Sequence, residues 1–229
     1  VHEFFVAQSG ERPIFEWRWV DRNADAILQR FTEHVTLTAA ALGIGLLISI
    51  GLAVISLRYR WFYAFALGAA GSLYVIPSLG AFAVLVPFFG FTFTTAVIPL
   101  VTYTLLILLR NIVTGIDRVP NEVREAALGM GFTRSRLLWQ VEFPLALPVI
   151  IAGLRVAAVT TIGLVTVTSM LGKGGLGFFI RAGIQTTTPN PTPIIVGIGL
   201  SILLAVGVDL LLWLSERALA PWARKANTR

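Results

Sequence analysis

Long stretches without a single ionisable side chain constrain this sequence more than any other feature. Residues 61–109 contain no Asp, Glu, Lys or Arg, and as one helix they would extend about 74 Å at 1.5 Å per residue. A bilayer hydrocarbon core is about 30 Å thick. The stretch is therefore too long for one crossing and suits two. Its turn is placed at Pro87-Phe88-Phe89-Gly90-Phe91, where a helix breaker and a permissive glycine are bracketed by aromatics that suit the membrane interface. Residues 34–57 and 182–208 are likewise free of charge, and 143–172 carry only Arg155. Five spans result, at about 35–57, 62–88, 92–113, 144–170 and 194–214.

Composition agrees, with 56% of residues hydrophobic and 13% charged, against about 25% charged in soluble domains. The fold class expected is an all-α integral membrane bundle. The chain contains no Cys and only two His, both before residue 35, so thiolate chemistry and an intramembrane histidine metal centre are excluded. No metal site is expected.

Pro77 could split the second span into two short helices and raise the count to six. Arginine placement decides between the counts. Arg58 and Arg60 follow span one, Arg118, Arg124, Arg134 and Arg136 follow span three, and Arg217, Arg224, Lys225 and Arg229 follow span five. With five spans all of them share one side, which is then cytosolic, and the N-terminus is outside. The chain divides into an extracytoplasmic tail, 1–34, a membrane domain, 35–214, and a cytosolic tail, 215–229. Val20, Ala24, Ile27, Leu28 and Phe31 recur at helical spacing in the first tail, which predicts an amphipathic helix on the outer leaflet before span one. No basic leader with a cleavage site is expected. The net charge of +6 is read as arginines facing anionic lipid headgroups, not as a nucleic-acid surface.

The polar interruption at 115–143 is the segment that carries function. Pro120 is suited to open a helix, Asn121 to Leu128 gives two turns, and Gly129 or Gly131 ends them. Thr133 is placed to cap a second short helix before Pro144 begins span four. A connecting loop needs no such stiffness unless it transmits force. Paired alanines at Ala126 and Ala127 would let another surface approach closely, with Arg124 and Glu125 fixing its register by charge.

Glu125-Ala126-Ala127, then Gly131, then Val141-Glu142-Phe143-Pro144 resembles the EAA loop of ABC-transporter permeases. The spacings match, and Val141 and Phe143 stand where that pattern has Ile and Leu. Ile76-Pro77-Ser78-Leu79, Leu109-Arg110-Asn111, Ala152-Gly153-Leu154-Arg155 and Gly172-Lys173-Gly174-Gly175-Leu176-Gly177 are similar to segments of osmoprotectant importer permeases. Permeases of methionine importers share several of these features. The resemblance implies the five-span bundle of a type I ABC importer, of the methionine-permease kind, in the bacterial inner membrane. It also implies a second permease chain, identical or homologous, and two cytosolic ATPase subunits that bind ATP and Mg and seat on the loop through Arg124, Glu125, Ala126, Ala127, Gly131 and Pro144. An extracytoplasmic binding protein would deliver glycine betaine, choline, carnitine or proline betaine.

Other signals weigh less. Gly172, Gly174 and Gly177 satisfy G-x-G-x-x-G but follow a membrane span, not a strand, and no P-loop surrounds Lys173. The chain is therefore expected to be a transport subunit and not an enzyme. Arg155 and Asp209 are the only charges well inside the spans; they pair with each other, snorkel separately, or serve substrate passage. Tyr74, Phe82 and Tyr103 could offer ring faces to a quaternary ammonium group, or simply pack. His34 is read as an interfacial polar residue. A membrane-embedded enzyme would need convergent acids or His, and a channel or secondary transporter a polar stripe or repeated halves; neither class accounts for the EAA spacing.

Overall fold

A computed structural model of the chain describes residues 14–171, 175–185 and 190–222. Its elements are helices α1 (Trp17–Arg22), α2 (Ala24–Arg58), α3 (Arg60–Val75), α4 (Ser78–Phe89), α5 (Phe93–Asp117), α6 (Asn121–Gly129), α7 (Arg134–Leu137), α8 (Phe143–Val167), α9 (Gly177–Ile184) and α10 (Pro191–Leu219). A π-helical turn, Leu138–Glu142, joins α7 to α8, and a 3-10 turn, Thr168–Leu171, follows α8.

The most buried helix is α5, packed between α2 and α8. A stripe of small and polar residues on α2 makes the first contact possible: His34, Thr38, Ala41, Gly45, Ser49, Ala53 and Ser56 face inward. With lipid tails as apolar as leucine, close van der Waals approach is what holds membrane helices together. A Cβ at Gly45 would overlap the Thr104 hydroxyl, and one at Gly153 would overlap the Asn111 side chain. Asn111 in turn donates to the Ile107 carbonyl at 2.8 Å. Two apolar clusters result. One gathers Leu37, Phe82, Val97, Leu100 and Val165, the other Ala53, Leu109, Ile112, Val113, Ala146 and Ile150.

Four helical segments are long and apolar enough to cross a membrane: Ala24–Arg58, Phe93–Asp117, Arg134–Val167 and Pro191–Leu219. Helices α3 and α4 meet at 91° around Ile76-Pro77, so the split at Pro77 does occur. It adds no crossing. Arg60, at the start of α3, grips Asp117, at the end of α5, through two bonds of 2.9 and 3.0 Å. Both ends therefore sit at one level. Helix α5, about 37 Å long, begins at the opposite level, where a short turn joins it to α4. The pair α3–α4 must carry the chain between those levels, and its two arms, about 24 and 18 Å long, span about 30 Å corner to corner. Taken as one broken crossing, the pair brings the four spans to five. At the break Tyr103 donates its hydroxyl proton to the Ile76 carbonyl. A carbonyl freed inside a membrane needs such a partner. The turn that follows falls where expected: α4 ends at Phe89, and Gly90 takes φ +66°.

Three expected boundaries shift. The break at residue 34 is absent, because α2 runs from Ala24 straight into the membrane. Ala24, Ile27, Leu28 and Phe31 form its first turns, and Val20 lies on α1. These turns are held by protein contacts: Arg30 lies 4.3 Å over the Phe178 ring, Trp19 meets Phe179 edge-on at 5.7 Å, and the Glu16 amide donates to Thr192 Oγ1 at 3.1 Å. His34 is fully buried there, not interfacial. Its Nδ1 accepts from the Leu176 amide at 3.4 Å and its Nε2 lies 3.1 Å from the Ile162 carbonyl, a pattern that fits the neutral ring protonated at Nε2. The second shift joins the helix capped by Thr133 to span four. Pro144 lacks the N–H that Gln140 would bond, and the π turn just before it absorbs the mismatch without ending the helix. Finally, α10 continues to Leu219, past the expected start of a tail at 215. Residues 172–174 of the glycine-rich segment, residues 1–13 of the first tail and residues 223–229 of the last tail lie outside the described residues.

Candidate functional site

The segment between α5 and α8 folds as a braced helical turn. Pro120 precedes α6, which ends at Gly129. The chain then reverses through Gly131 at φ +84°. The Phe132 amide donates to the Ala127 carbonyl at 3.1 Å and the Gly131 amide to that of Leu128 at 2.9 Å, the paired bonds of a Schellman helix end. Two residues later Thr133 Oγ1 accepts from the Arg136 amide at 3.3 Å and starts α7. Each end of the reversal is thus satisfied locally.

Arg124 closes the assembly. Its Nε lies 2.7 Å from Glu142 Oε1 in the π turn, one terminal nitrogen donates to the Ile116 carbonyl at 2.7 Å, and the other reaches Asn121 Oδ1 at 3.5 Å. One guanidinium therefore ties α6 to the last turn of α5 and to the root of α8. Arg124 is thus turned toward the protomer, its side chain 26% exposed, and its charge is engaged within the loop. Ala127 is likewise only 2% exposed. Of the two alanines, Ala126 alone is presented, together with Glu122 and Glu125. Leu128 and Met130 add exposed apolar surface in a polar segment, at 48% and 72%. Pro144 is half-buried at the root of α8 and shapes the helix there.

Glu142 and Asp117, which brace the loop, were not singled out from sequence as partners. Their only signal was opposite charge in a polar stretch, and pairing across 18 and 57 positions in the chain is invisible to spacing rules.

Between α8 and α10, Arg155 and Asp209 meet, with side chains 29% and 37% exposed. The guanidinium donates Nε to Oδ1 and a terminal nitrogen to Oδ2, both at 2.8 Å, and Glu216 lies 4.0 Å away. The pair borders a groove of about 430 Å³ between α8 and α10, shared with Ala152, Val156, Val159 and Thr160. A two-pronged bond of this kind is the strong form of an ion pair. The three aromatics separate. Tyr74 and Tyr103 meet edge-on at 5.5 Å, and Tyr103 is held at the α3–α4 break. Phe82 is fully buried in the apolar cluster around Leu37, with no ring face open to a passing solute. Among the described residues no group of three metal-ligating side chains occurs.

With this geometry in hand, comparison with known proteins places the chain. Residues 42–221 match the family described as "Binding-protein-dependent transport system inner membrane component". The sequence is 35% identical over 204 residues to the "Osmoprotectant import permease protein OsmW" of Salmonella typhimurium, covering 87% of this chain and 94% of that one. It is 34% identical over 208 residues to the "Glycine betaine/carnitine/choline transport system permease protein OpuCD" of Bacillus subtilis, covering 90% of each. Among solved structures, an inward-facing form of the MetNI methionine ABC transporter superposes with a TM-score of 0.72 at 19% identity, covering 84% of this chain and 95% of that one. An amino acid ABC transporter structure gives 0.72 at 19% identity, with 89% and 98% covered. These structural likenesses carry the fold, a type I ABC importer permease bundle. The family is one of transport components, not enzymes, that work with an ATPase and a solute-binding protein. The braced loop, the five crossings and the sequence matches converge: the chain belongs to the binding-protein-dependent transport system inner membrane components.

Proposed function

We propose that this chain forms the translocation pathway of an importer for osmoprotectants, solutes such as glycine betaine, choline, carnitine or proline betaine that bear a quaternary ammonium group. Two copies, or this chain and a homologue, pair in the bacterial inner membrane with the N-terminus outside and the C-terminus in the cytosol. Two ATPase subunits, which hold ATP and Mg, seat on the exposed face of α6 around Glu125 and Ala126. The single observation that carries the coupling role is the three-way grip of Arg124. A push on α6 cannot be absorbed by the loop, because Arg124 passes it to α5 through Ile116 and to α8 through Glu142. Rigid elements with two discrete arrangements are what transmit such motion.

Identity favours the osmoprotectant class over methionine. Curated osmoprotectant permeases reach 35% over most of both chains, whereas the methionine transporter reaches 19% and speaks for fold alone. The test is uptake by the reconstituted complex of this chain, its ATPase and its binding protein. ATP-dependent uptake of labelled glycine betaine or choline is expected. Methionine uptake without either would overturn the substrate class and leave the family intact.

A further inference from the structure

A groove of about 670 Å³ opens between the end of α2 and the coupling loop. Four arginines line it. Arg60 is neutralised by Asp117 and Arg124 by Glu142, while Arg58 and Arg134 form no ion pair among the described residues. The groove thus holds two uncompensated cations at its polar end. Its other end is apolar: Val54, Leu57, Leu138 and Trp139 line both this groove and a narrower cleft that runs along α2 to Ile50. The open groove follows α2 from Arg58 to Val54, about 6 Å along the helix, and the cleft beyond it toward Ile50 narrows to about 10 Å³. Val54 and Trp139 are 38% and 48% exposed along it.

Charge at the interface and a dry track leading inward from it match one chemistry, an anionic headgroup bearing an acyl chain. A soluble anion would leave the apolar track open. A zwitterionic lipid would bring its own cation along with its phosphate and add no net negative charge beside the two arginines. We propose that this groove holds one anionic phospholipid of the cytosolic leaflet, with its phosphate between Arg58 and Arg134 and an acyl chain along Leu57 and Val54. Basic pockets between membrane helices on the cytosolic side are where such headgroups settle. The lipid would bridge α2 to α7 beside the Arg124–Glu142 brace and stiffen the loop further. The inference rests on the cytosolic placement of the loop and is independent of the solute carried.

The assembled importer, purified with its ATPase, is titrated with dioctanoyl phosphatidylglycerol, dioctanoyl phosphatidylcholine and glycerol phosphate, and adducts on the permease are counted by native mass spectrometry. Phosphatidylglycerol should bind, and the double variant Arg58→Gln/Arg134→Gln should weaken it about 25-fold, about fivefold for each cation removed. Arg58→Lys/Arg134→Lys should keep most of the binding, and Val54→Asp should weaken it without removing either arginine. Equal binding of phosphatidylcholine, or competition by glycerol phosphate at the same concentration as the lipid, would overturn the lipid assignment. A double variant that keeps its phosphatidylglycerol but loses the ATPase would make the groove a protein contact and overturn it too. Because the readout is a lipid adduct, a complex that carries some other solute still reports on this site.

Discussion

Replacing Arg124 by alanine removes the one side chain that joins three elements of the coupling loop. The bond to the Ile116 carbonyl, at 2.7 Å, is charge-assisted and part-buried, a class that contributes about 2 kcal/mol. The pair with Glu142, also at 2.7 Å, involves side chains 26% and 13% exposed, and losing one member strands a mostly covered carboxylate. Half-exposed pairs are weaker than buried ones, so about 1–2 kcal/mol is assigned to it. Together about 3–4 kcal/mol holds α6 against its roots, a factor of several hundred in the population of the braced loop. The Schellman turn and the Thr133 cap do not involve Arg124, so α6 should still form and the ATPase should still dock. What should fail is transmission. In reconstituted importer, Arg124→Ala should hydrolyse ATP with uptake per ATP lowered at least tenfold, at normal permease level. Glu142→Ala should give a smaller loss, since the Ile116 bond survives, and the double variant should fall short of the sum by about 1–2 kcal/mol. Full coupling in Arg124→Ala would refute the brace. So would additive losses in the double variant.

Three further outcomes follow from the same geometry. Gly131 holds φ +84° in open space, so only backbone strain opposes a side chain; Gly131→Val should cost about 1–2 kcal/mol and cut uptake at normal permease level, while Gly131→Asn should retain most of it. Arg155→Ala strands Asp209 beside Glu216 and should lower the folded yield more than Asp209→Ala, which leaves Arg155 with Glu216 4.0 Å away, whereas Arg155→Leu/Asp209→Leu should recover the yield measured by size-exclusion profile. Tyr103→Phe frees the Ile76 carbonyl at the α3–α4 break and should lower the melting temperature in detergent by a few degrees, a loss of about 1 kcal/mol.

What sequence reading captures here follows from the range of the interaction involved. Crossings depend on local composition, so the charge-free runs locate all five, and Pro77 announces its own break because a missing N–H acts on its own turn. The helix end at Gly131 and the start at Thr133 are equally local. Arginine placement along the chain already favours one crossing over two for the segment around Pro77; what it does not disclose is the Arg60–Asp117 pair, whose members are 57 positions apart. Direction of facing is also non-local: Ala126 and Ala127 read alike in sequence, yet Ala127 turns inward because Arg124, three positions earlier, is pulled to the same side by Glu142. His34 misled for the same reason. A histidine at a span boundary looks interfacial until Ile162 and Leu176 are brought around it. The π turn before Pro144 arises because α7 and α8 are stacked into one rod, which a proline at a helix start does not disclose.

The central claim, that the outward face of α6 receives the ATPase, is tested most directly by cross-linking in this cysteine-free chain. Single cysteines at Ala126 and Ala127 are paired with a cysteine scan of the ATPase groove in the assembled importer, with and without ATP. Ala126→Cys should cross-link in high yield, with a yield that changes on nucleotide binding, and Ala127→Cys should not. Cross-linking at Ala127 without any at Ala126, or none at either, would contradict the account.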